Sequence, residues 1–165
     1  MENVYLTIVL APLAGAIVAG FFGGRIGRAG AHWVTTLGVG VSTLLSLWVA
    51  SRFVWHDEPA FNGTVYTWMV SDGMRLEVGF LVDRLTALMI SVVTFVSLMV
   101  HVYTIGYMAD DEHNWPKESL AGRNSYQRFF SYISLFTFSM LMLVMSNNFL
   151  QLFFGWEAVG LVSYL

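Results

Sequence analysis

Long apolar runs alternate with short polar segments along this chain, and five of the runs carry almost no charge. A helix needs about 20 predominantly apolar residues to cross the roughly 30 Å hydrocarbon core of a bilayer. The pattern therefore predicts an all-α integral membrane protein with about five transmembrane helices, at residues 4–22, 33–54, 85–107, 129–145 and 149–165. The last run rises only about 25 Å, so we expect the fifth span to be incomplete.

A different periodicity separates the second and third predicted spans. Residues 64–70 are rich in β-branched and aromatic side chains, and residues 74–78 alternate apolar with charged ones, directly after the pair Asp72-Gly73. Alternation around an Asp-Gly pair predicts a small β-hairpin. Because open sheet edges are not tolerated in lipid, we expect this hairpin to rest on a membrane surface or on a neighbouring subunit.

The other polar segments predict turns. Residues 23–30 are interpreted as a short basic turn, since they lack the preceding strand and the lysine of a phosphate-binding loop. The segment Asp110 to Arg128 contains Trp115-Pro116 and Gly122, which break a helix, and Ser146-Asn147-Asn148 is a natural turn.

Charged groups near the span ends have simple interpretations. Arg52 is placed to extend its guanidinium towards the interface, and Asp83 and Arg84 are most simply an interfacial ion pair. Asn62-Gly63-Thr64 matches a glycosylation sequon, but so short a motif is usually coincidence.

Composition supports the membrane assignment. The chain is 56% hydrophobic and 12% charged, with a mean hydropathy of +0.63, against about 25% charged residues in soluble proteins. It has no cysteine, which excludes disulfides and cysteine-based metal sites, and no metal site is expected. A net charge of −3 argues against binding of nucleic acid. The N-terminus has no basic n-region, so the first span is interpreted as a retained anchor rather than a signal peptide.

Basic residues in the loops predict an orientation. The first and third loops together hold five basic residues: Arg25, Arg28, Lys117, Arg123 and Arg128. The second loop holds three, Arg52, Arg75 and Arg84, and the turn at Ser146 holds none. Since cytoplasmic loops carry the excess of basic residues, the N-terminus and the hairpin are predicted outside and the Asp110 segment inside.

Glu157 is the candidate functional residue, because it is the only acidic residue between residues 129 and 165. A carboxylate in hydrocarbon costs on the order of 3 kcal/mol and needs a partner, a proton or water. It follows Phe149 by eight residues, about 12 Å of helix rise, which places it near the bilayer midplane.

Helical spacing predicts the surroundings of this carboxylate. The residues on or near its face are Phe153, Phe154, Gly160, Leu161 and Tyr164. Gly160 leaves room for a helix or water, and Tyr164 is placed to join a hydrogen-bonded chain. A proton-transfer residue is the favoured interpretation, and a glutamate that only holds helices together is the alternative.

His101 is a second candidate for proton transfer. It lies near the inner end of the third span, where a histidine is more often an interfacial hydrogen-bonding residue than a relay member. The methionines and phenylalanines of the fourth span are interpreted as packing residues, and no cofactor is attached to them.

Several runs of sequence closely resemble one known family. They are Gly79 to Met89, His101 to Tyr103 with Tyr107-Met108, Arg128 to Tyr132, and above all Asn148 to Leu165. Together they resemble the N-terminal part of the largest antiporter-like membrane subunit of respiratory complex I, the proton-pumping NADH:quinone oxidoreductase. Sister subunits and multisubunit cation/proton antiporters share the Trp156-Glu157 pair but usually not the continuation from Val159 to Leu165.

The resemblance implies a function for the chain and a role for Glu157. In that family the matching glutamate lies on the fifth helix and pairs with a lysine of a later helix, and charge switching between them is thought to move protons, driven by redox chemistry elsewhere in the complex. Glu157 takes the glutamate's place, and its lysine partner is expected beyond residue 165. The resemblance further implies other complex I membrane subunits as partners, besides lipid, and no redox centre or cofactor in this chain. It favours a bacterial cytoplasmic membrane over the mitochondrial inner membrane.

Two departures from the family pattern accompany this resemblance. Ala158 stands where the family commonly has Gly, which slightly narrows the space beside Glu157. The family's subunit has well over a dozen helices, and the only lysine here, Lys117, is in a loop. We therefore infer a fragment of a longer subunit that is not active alone. The alternatives are a subunit of a multisubunit sodium/proton antiporter and a structural membrane protein.

Overall fold

The computed structural model of the chain describes residues 1–111 and 124–165. Its elements are helix α1 (Glu2–Trp55), strands β1 (Phe61–Ser71) and β2 (Met74–Val82), and helices α2 (Arg84–Tyr107), α3 (Ser125–Val144) and α4 (Phe149–Tyr164). Among the described residues, α1, α2 and α3 are long and apolar enough to cross a membrane, and α4 is a shorter apolar helix. The predicted fold class, a helical membrane protein with a small hairpin, is confirmed.

Helix α1 consists of two helical arms that meet at Gly27. This residue has φ 68° and ψ −174°, a conformation open to glycine and strained for other residues. The break is therefore narrower than the turn predicted over residues 23–30, because a single glycine is enough to reverse the chain. Residues 2–26 form the first arm and residues 28–55 the second.

The two arms pack against each other in antiparallel fashion around a proline. Pro12 has no N–H, so the carbonyl of Ile8 loses the bond it would accept within the helix. Ser42 Oγ donates to that carbonyl at 2.7 Å. A Cβ at Gly38 would lie 2.7 Å from the Ala11 carbonyl oxygen, so glycine is required for the backbones to approach this closely.

Small hydroxyl residues join the other helices to these arms. On α3, Ser131 Oγ donates to the carbonyl of Ala16 at 2.7 Å, and Ser134 Oγ donates to that of Pro12 at 2.8 Å. On α2, Ser91 Oγ donates to the carbonyl of Ser46 at 3.1 Å. Buried serine and threonine hydroxyls hold membrane helices together in this way.

The β-hairpin turns at the predicted residues. Asp72 (φ 45°) and Gly73 (φ 86°) both have positive φ, as a two-residue hairpin turn of the I′ type requires. The base of the hairpin rests on the turn between α3 and α4, where the Leu81 N–H donates to the Met145 carbonyl at 2.9 Å. The outer part, which includes Tyr66, Trp68 and Val70, is exposed.

The hairpin is thus anchored within its own chain, which sequence reasoning did not foresee. The reason is that its base carries Phe80 and Val82, which are buried in one core with residues of α1, α2 and α3. A resting place on a membrane surface or a neighbouring subunit stays a prediction for the exposed outer part.

The predicted Asp83–Arg84 ion pair was wrong. The Asp83 carboxylate instead caps α2 by accepting the Thr86 N–H at 2.7 Å, and Arg84 pairs with Asp57. A carboxylate one residue before a helix satisfies the helix's free N–H groups, which are closer to it than the neighbouring guanidinium. Arg52 pairs with Glu58 at 2.7 Å.

Helix α3 begins at Ser125, inside the segment predicted as a polar loop up to Arg128. The extra turn is helical because Tyr126 is buried there, with its hydroxyl 2.8 Å from His32 Nδ1 of α1. Trp115-Pro116 and Gly122, the predicted helix breakers, lie outside the described residues, as do Lys117 and Arg123.

Candidate functional site

Helix α4 is positioned by two amides at its start. Asn148 caps the helix, its side-chain oxygen accepting the Gln151 N–H at 2.9 Å, while its amide nitrogen donates to the Glu77 carbonyl at 3.0 Å. Gln151 is buried and accepts the Gly79 N–H at 2.9 Å. The first turn of α4 is therefore tied to the hairpin.

Close packing against α3 sets the rotation of α4. A Cβ at Gly155 would lie 2.8 Å from the Cα of Leu143, so the two backbones nearly touch. The buried face of α4 consists of Gln151, Gly155 and Val162. Glu157 lies off that face and is exposed.

The Glu157 carboxylate borders an open groove whose other wall is Phe136 of α3. The remaining lining residues belong to α4: Trp156, Val159, Gly160, Leu161 and Ser163. Over residues 1–111 and 124–165, no hydrogen bond or ion pair to Glu157 is found. A carboxylate on such an apolar helix is a group that can take up a proton or receive a cation from outside the described part.

The predicted neighbours of Glu157 lie as follows. Nothing stands within 4 Å of a Cβ built on Gly160, so the space beside the carboxylate is open. Tyr164 is 88% exposed, and Phe153, Phe154 and Leu161 are exposed as well. This face of α4 is therefore uncovered by the described residues.

His101 lies elsewhere, in the interior between α2 and α3. It is fully buried, whereas its position near a span end had suggested an interfacial residue. Its Nδ1 is 2.8 Å from the Ser97 carbonyl and its ring faces Phe130, with 6.3 Å between ring centroids. Helix α3 covers it because Ser97 and Thr137, whose hydroxyl oxygens are 2.5 Å apart, join the two helices.

The structure does not bring the two candidates together. The hydrogen-bond partners and the ring neighbour of His101 belong to α2 and α3, and no hydrogen bond among the described residues links His101 to Glu157 on α4. Residues 1–111 and 124–165 contain no group of three or more His, Asp or Glu side chains that could hold a metal ion.

Sequence reasoning missed a polar cluster at the end of the bundle opposite the hairpin. The Arg28 guanidinium lies 4.2 Å from the centroid of the Tyr126 ring and donates to the carbonyls of Met108 and Ala109, both at 2.8 Å. His32 joins this cluster through its hydrogen bond with the Tyr126 hydroxyl, and its ring centroid lies 6.0 Å from that of Phe130. The sequence signal that could have found this cluster was His32, a histidine close to the basic turn at residues 23–30.

Comparisons with known proteins point to one family. A family model described as the N-terminus of chain 5 of NADH-ubiquinone oxidoreductase (complex I) matches residues 68–130. NADH-quinone oxidoreductase subunit L of Neisseria meningitidis serogroup B is 61% identical over 99% of this chain, which covers 23% of that relative. NADH-ubiquinone oxidoreductase chain 5 is 46% identical in Arabidopsis thaliana and 42% in Neurospora crassa, each over 98% of the chain, which covers 22% and 21% of them. The chain thus spans less than a quarter of the length of these relatives.

Proposed function

This chain is homologous, over nearly its whole length, to part of the subunit L and chain 5 proteins of NADH–quinone oxidoreductases, and from that premise we propose that it forms part of a proton-translocating membrane subunit. Its partners are the other membrane subunits of that complex and the lipid around them. It carries no redox centre and works in a bacterial cytoplasmic membrane. Redox chemistry elsewhere in the complex drives the proton movement.

The observation that carries this proposal is the placement of Glu157. The Glu157 carboxylate lies on an apolar helix whose opposite face packs against α3. An open groove and Gly160, which has no neighbour within 4 Å of a built Cβ, lie beside the carboxylate. Burial of such a group by further helices favours its protonated form, and an approaching lysine favours the carboxylate. Glu157 therefore holds or releases a proton as a cation outside residues 1–165 moves towards it or away.

Replacement of Glu157 in the full-length subunit, assembled in its complex, tests this role. We expect Glu157→Gln to lower NADH-driven proton uptake by inverted membrane vesicles, measured per assembled complex, because the amide keeps the shape but cannot ionise. Glu2→Gln is the matched control, since Glu2 is exposed in the first turn of α1. Proton uptake and quinone reduction equal to those of Glu2→Gln would remove Glu157 from the mechanism.

The same vesicles separate the alternatives. Sodium-dependent proton exchange without any response to NADH would indicate a multisubunit sodium/proton antiporter. Loss of the assembled complex in Glu157→Gln, with normal activity in whatever complex remains, would indicate a glutamate that serves assembly only.

A further inference from the structure

The environment of His101 determines which ring nitrogen carries its proton. The Ser97 carbonyl, 2.8 Å from Nδ1, can only accept a hydrogen bond, so Nδ1 bears the hydrogen. In a neutral ring Nε2 is then a bare acceptor. This atom is buried and has no hydrogen-bond partner among the described residues. An unsatisfied buried acceptor is costly in a helical bundle, which makes Nε2 a place for an incoming proton donor.

The hydroxyls beside His101 have a determined direction. Thr137 Oγ1 donates its hydrogen to the Ile133 carbonyl at 2.9 Å. In the 2.5 Å contact between Ser97 Oγ and Thr137 Oγ1, the serine must therefore be the donor. Ser97 Oγ is also 3.4 Å from His101 Nδ1 and can accept from it. The order of donors is His101, Ser97, Thr137.

The far end of this series lies at a groove that shares one lining residue with the Glu157 groove. Ser97 and Thr137 line a groove between α2 and α3 that Phe136 also lines. Phe136 is the same side chain that forms the α3 wall of the Glu157 groove. The two grooves therefore adjoin one ring on α3.

The near end faces the polar cluster of Arg28, His32 and Tyr126. Phe130 packs between the two histidines, with its ring 6.0 Å from that of His32 and 6.3 Å from that of His101. His32 is only partly buried and bonded to the Tyr126 hydroxyl. The Phe130 ring thus neighbours both histidines and lies at the boundary between the cluster and His101.

We propose that His101, Ser97 and Thr137 form a proton relay that supplies Glu157 from the end of the bundle where the Arg28 cluster lies. A hydrated proton binds Nε2, the Nδ1 proton passes to Ser97 Oγ, and the serine proton passes to Thr137 Oγ1. The threonine releases its own proton, formerly bonded to the Ile133 carbonyl, to water in the groove beside Phe136. One proton enters and one leaves. Rotation of the hydroxyls, together with reorientation of the imidazole ring that returns an N–H to the Ser97 carbonyl, resets the relay without moving a proton back. This inference rests on the proposed function of Glu157.

The rival interpretation is purely structural. Serine, threonine and histidine side chains in membrane helices often bond to carbonyls of their own helix or of a neighbour and so hold the bundle together. Under that interpretation the hydroxyl on Thr137 matters no more than any other buried hydroxyl. Thr94 offers the comparison, because it is equally buried on α2 and its hydroxyl bonds only to carbonyls of its own helix.

The test is Thr137→Val in the full-length subunit within its complex, with Thr94→Val as control. Both changes replace a buried hydroxyl by a methyl group of similar size. We expect Thr137→Val to lower NADH-driven proton uptake per assembled complex severalfold, Thr94→Val to leave it near the original rate, and Thr137→Ser to retain it. Equal rates in the two valine variants would overturn the relay, and so would a Thr137→Ser variant as slow as Thr137→Val.

A second variant covers the case in which Thr137→Val does not assemble. Ser97→Ala removes the central hydroxyl but leaves the Ser97 carbonyl that orients His101, and Ser139→Ala is its control, since that buried hydroxyl bonds only within α3. We expect the same severalfold loss in Ser97→Ala alone, and its absence contradicts the relay. Loss of pumping in Glu157→Gln with normal pumping in Ser97→Ala refutes the relay and leaves the proposed function standing. Normal pumping in Glu157→Gln instead refutes the proposed role of Glu157, and with it the destination of the relay.

Discussion

At the scale of single residues, the end of the hairpin and the beginning of α2 depend on one carboxylate. Asp83 accepts the Thr86 N–H at 2.7 Å, and this bond holds the pKa of the Asp83 carboxyl below its ordinary value. A lowered pKa means that the folded protein prefers the ionised form. The helix start is therefore most stable when Asp83 is charged.

Replacement of this cap has a pH-dependent effect. Asp83→Ala is expected to lower the free energy of unfolding by about 1 kcal/mol near neutral pH. Because the pKa is lower in the folded state, the cap's contribution is complete above the ordinary carboxyl pKa of about 4 and disappears as the pH falls through the lower folded value. Thermal unfolding of the purified protein in detergent, measured over this range, checks the prediction.

Asp110→Ala is the control for this experiment, since Asp110 is exposed and lies beyond the end of α2 rather than at its start. A loss of stability in Asp83→Ala that is the same at every pH, or that Asp110→Ala matches, would contradict the role of the Asp83 carboxylate as a cap.

Single residues also show where sequence reasoning reached its limit. Glu157 was found because a lone charge in an apolar run is visible without knowledge of its neighbours. The roles of Gln151 and Asn148 were not, because their partners Gly79 and Glu77 lie more than 70 residues away in the chain. The prediction of an Asp83–Arg84 pair was wrong for a related reason. The two residues are adjacent in sequence, but the partner of Arg84 in the fold is Asp57, 27 residues earlier in the chain.

At the scale of elements, two glycines of α4 have opposite surroundings. The Cβ of an alanine at Gly155 would lie 2.8 Å from the Leu143 Cα, whereas an alanine at Gly160 meets nothing within 4 Å. Sequence alone predicted open space at Gly160 but not the contact at Gly155, because both residues are small and only the packed pair of helices distinguishes them.

Alanine at these two positions is therefore expected to have opposite effects on stability. Forcing apart two backbones costs about 1–3 kcal/mol, more than the ~1 kcal/mol that alanine gains over glycine in a helix. Gly155→Ala should lower the thermal unfolding midpoint in detergent and Gly160→Ala should leave it unchanged or raise it. A Gly155→Ala protein as stable as Gly160→Ala would show that α4 is not held against α3 as described.

At the scale of the whole molecule, the helices were the predictable part of the fold. A bilayer admits few spanning structures, so long apolar runs become helices almost regardless of their detailed sequence. The docking of the hairpin base and the extra turn of α3 depend on side chains that meet only after folding, here Phe80 in the core and Tyr126 beside His32. Those contacts have no counterpart in local hydropathy.

The contacts also sort the polar segments into two ends of the bundle. The N-terminal arm of α1 meets the hairpin through Tyr5 and Phe61, 5.1 Å apart, and the hairpin meets the turn at Ser146. At the other end Arg28, next to the Gly27 break, bonds the carbonyls that follow α2. An orientation assigned to one segment of either group therefore applies to the whole group.

Labelling of single cysteines decides the orientation, and residues 1–165 offer a clean background because they contain no cysteine. The loop charges predict that the hairpin end lies outside. Ser71→Cys, near the hairpin turn, should therefore react with a membrane-impermeant maleimide in spheroplasts. Gly24→Cys, in the arm that leads to the Gly27 break, should react only after permeabilisation, and both positions are exposed. The reverse pattern would show that five basic residues against three do not set the topology here. It would also place the Arg28 cluster, and with it the proposed entrance of the relay, on the outer side of the membrane.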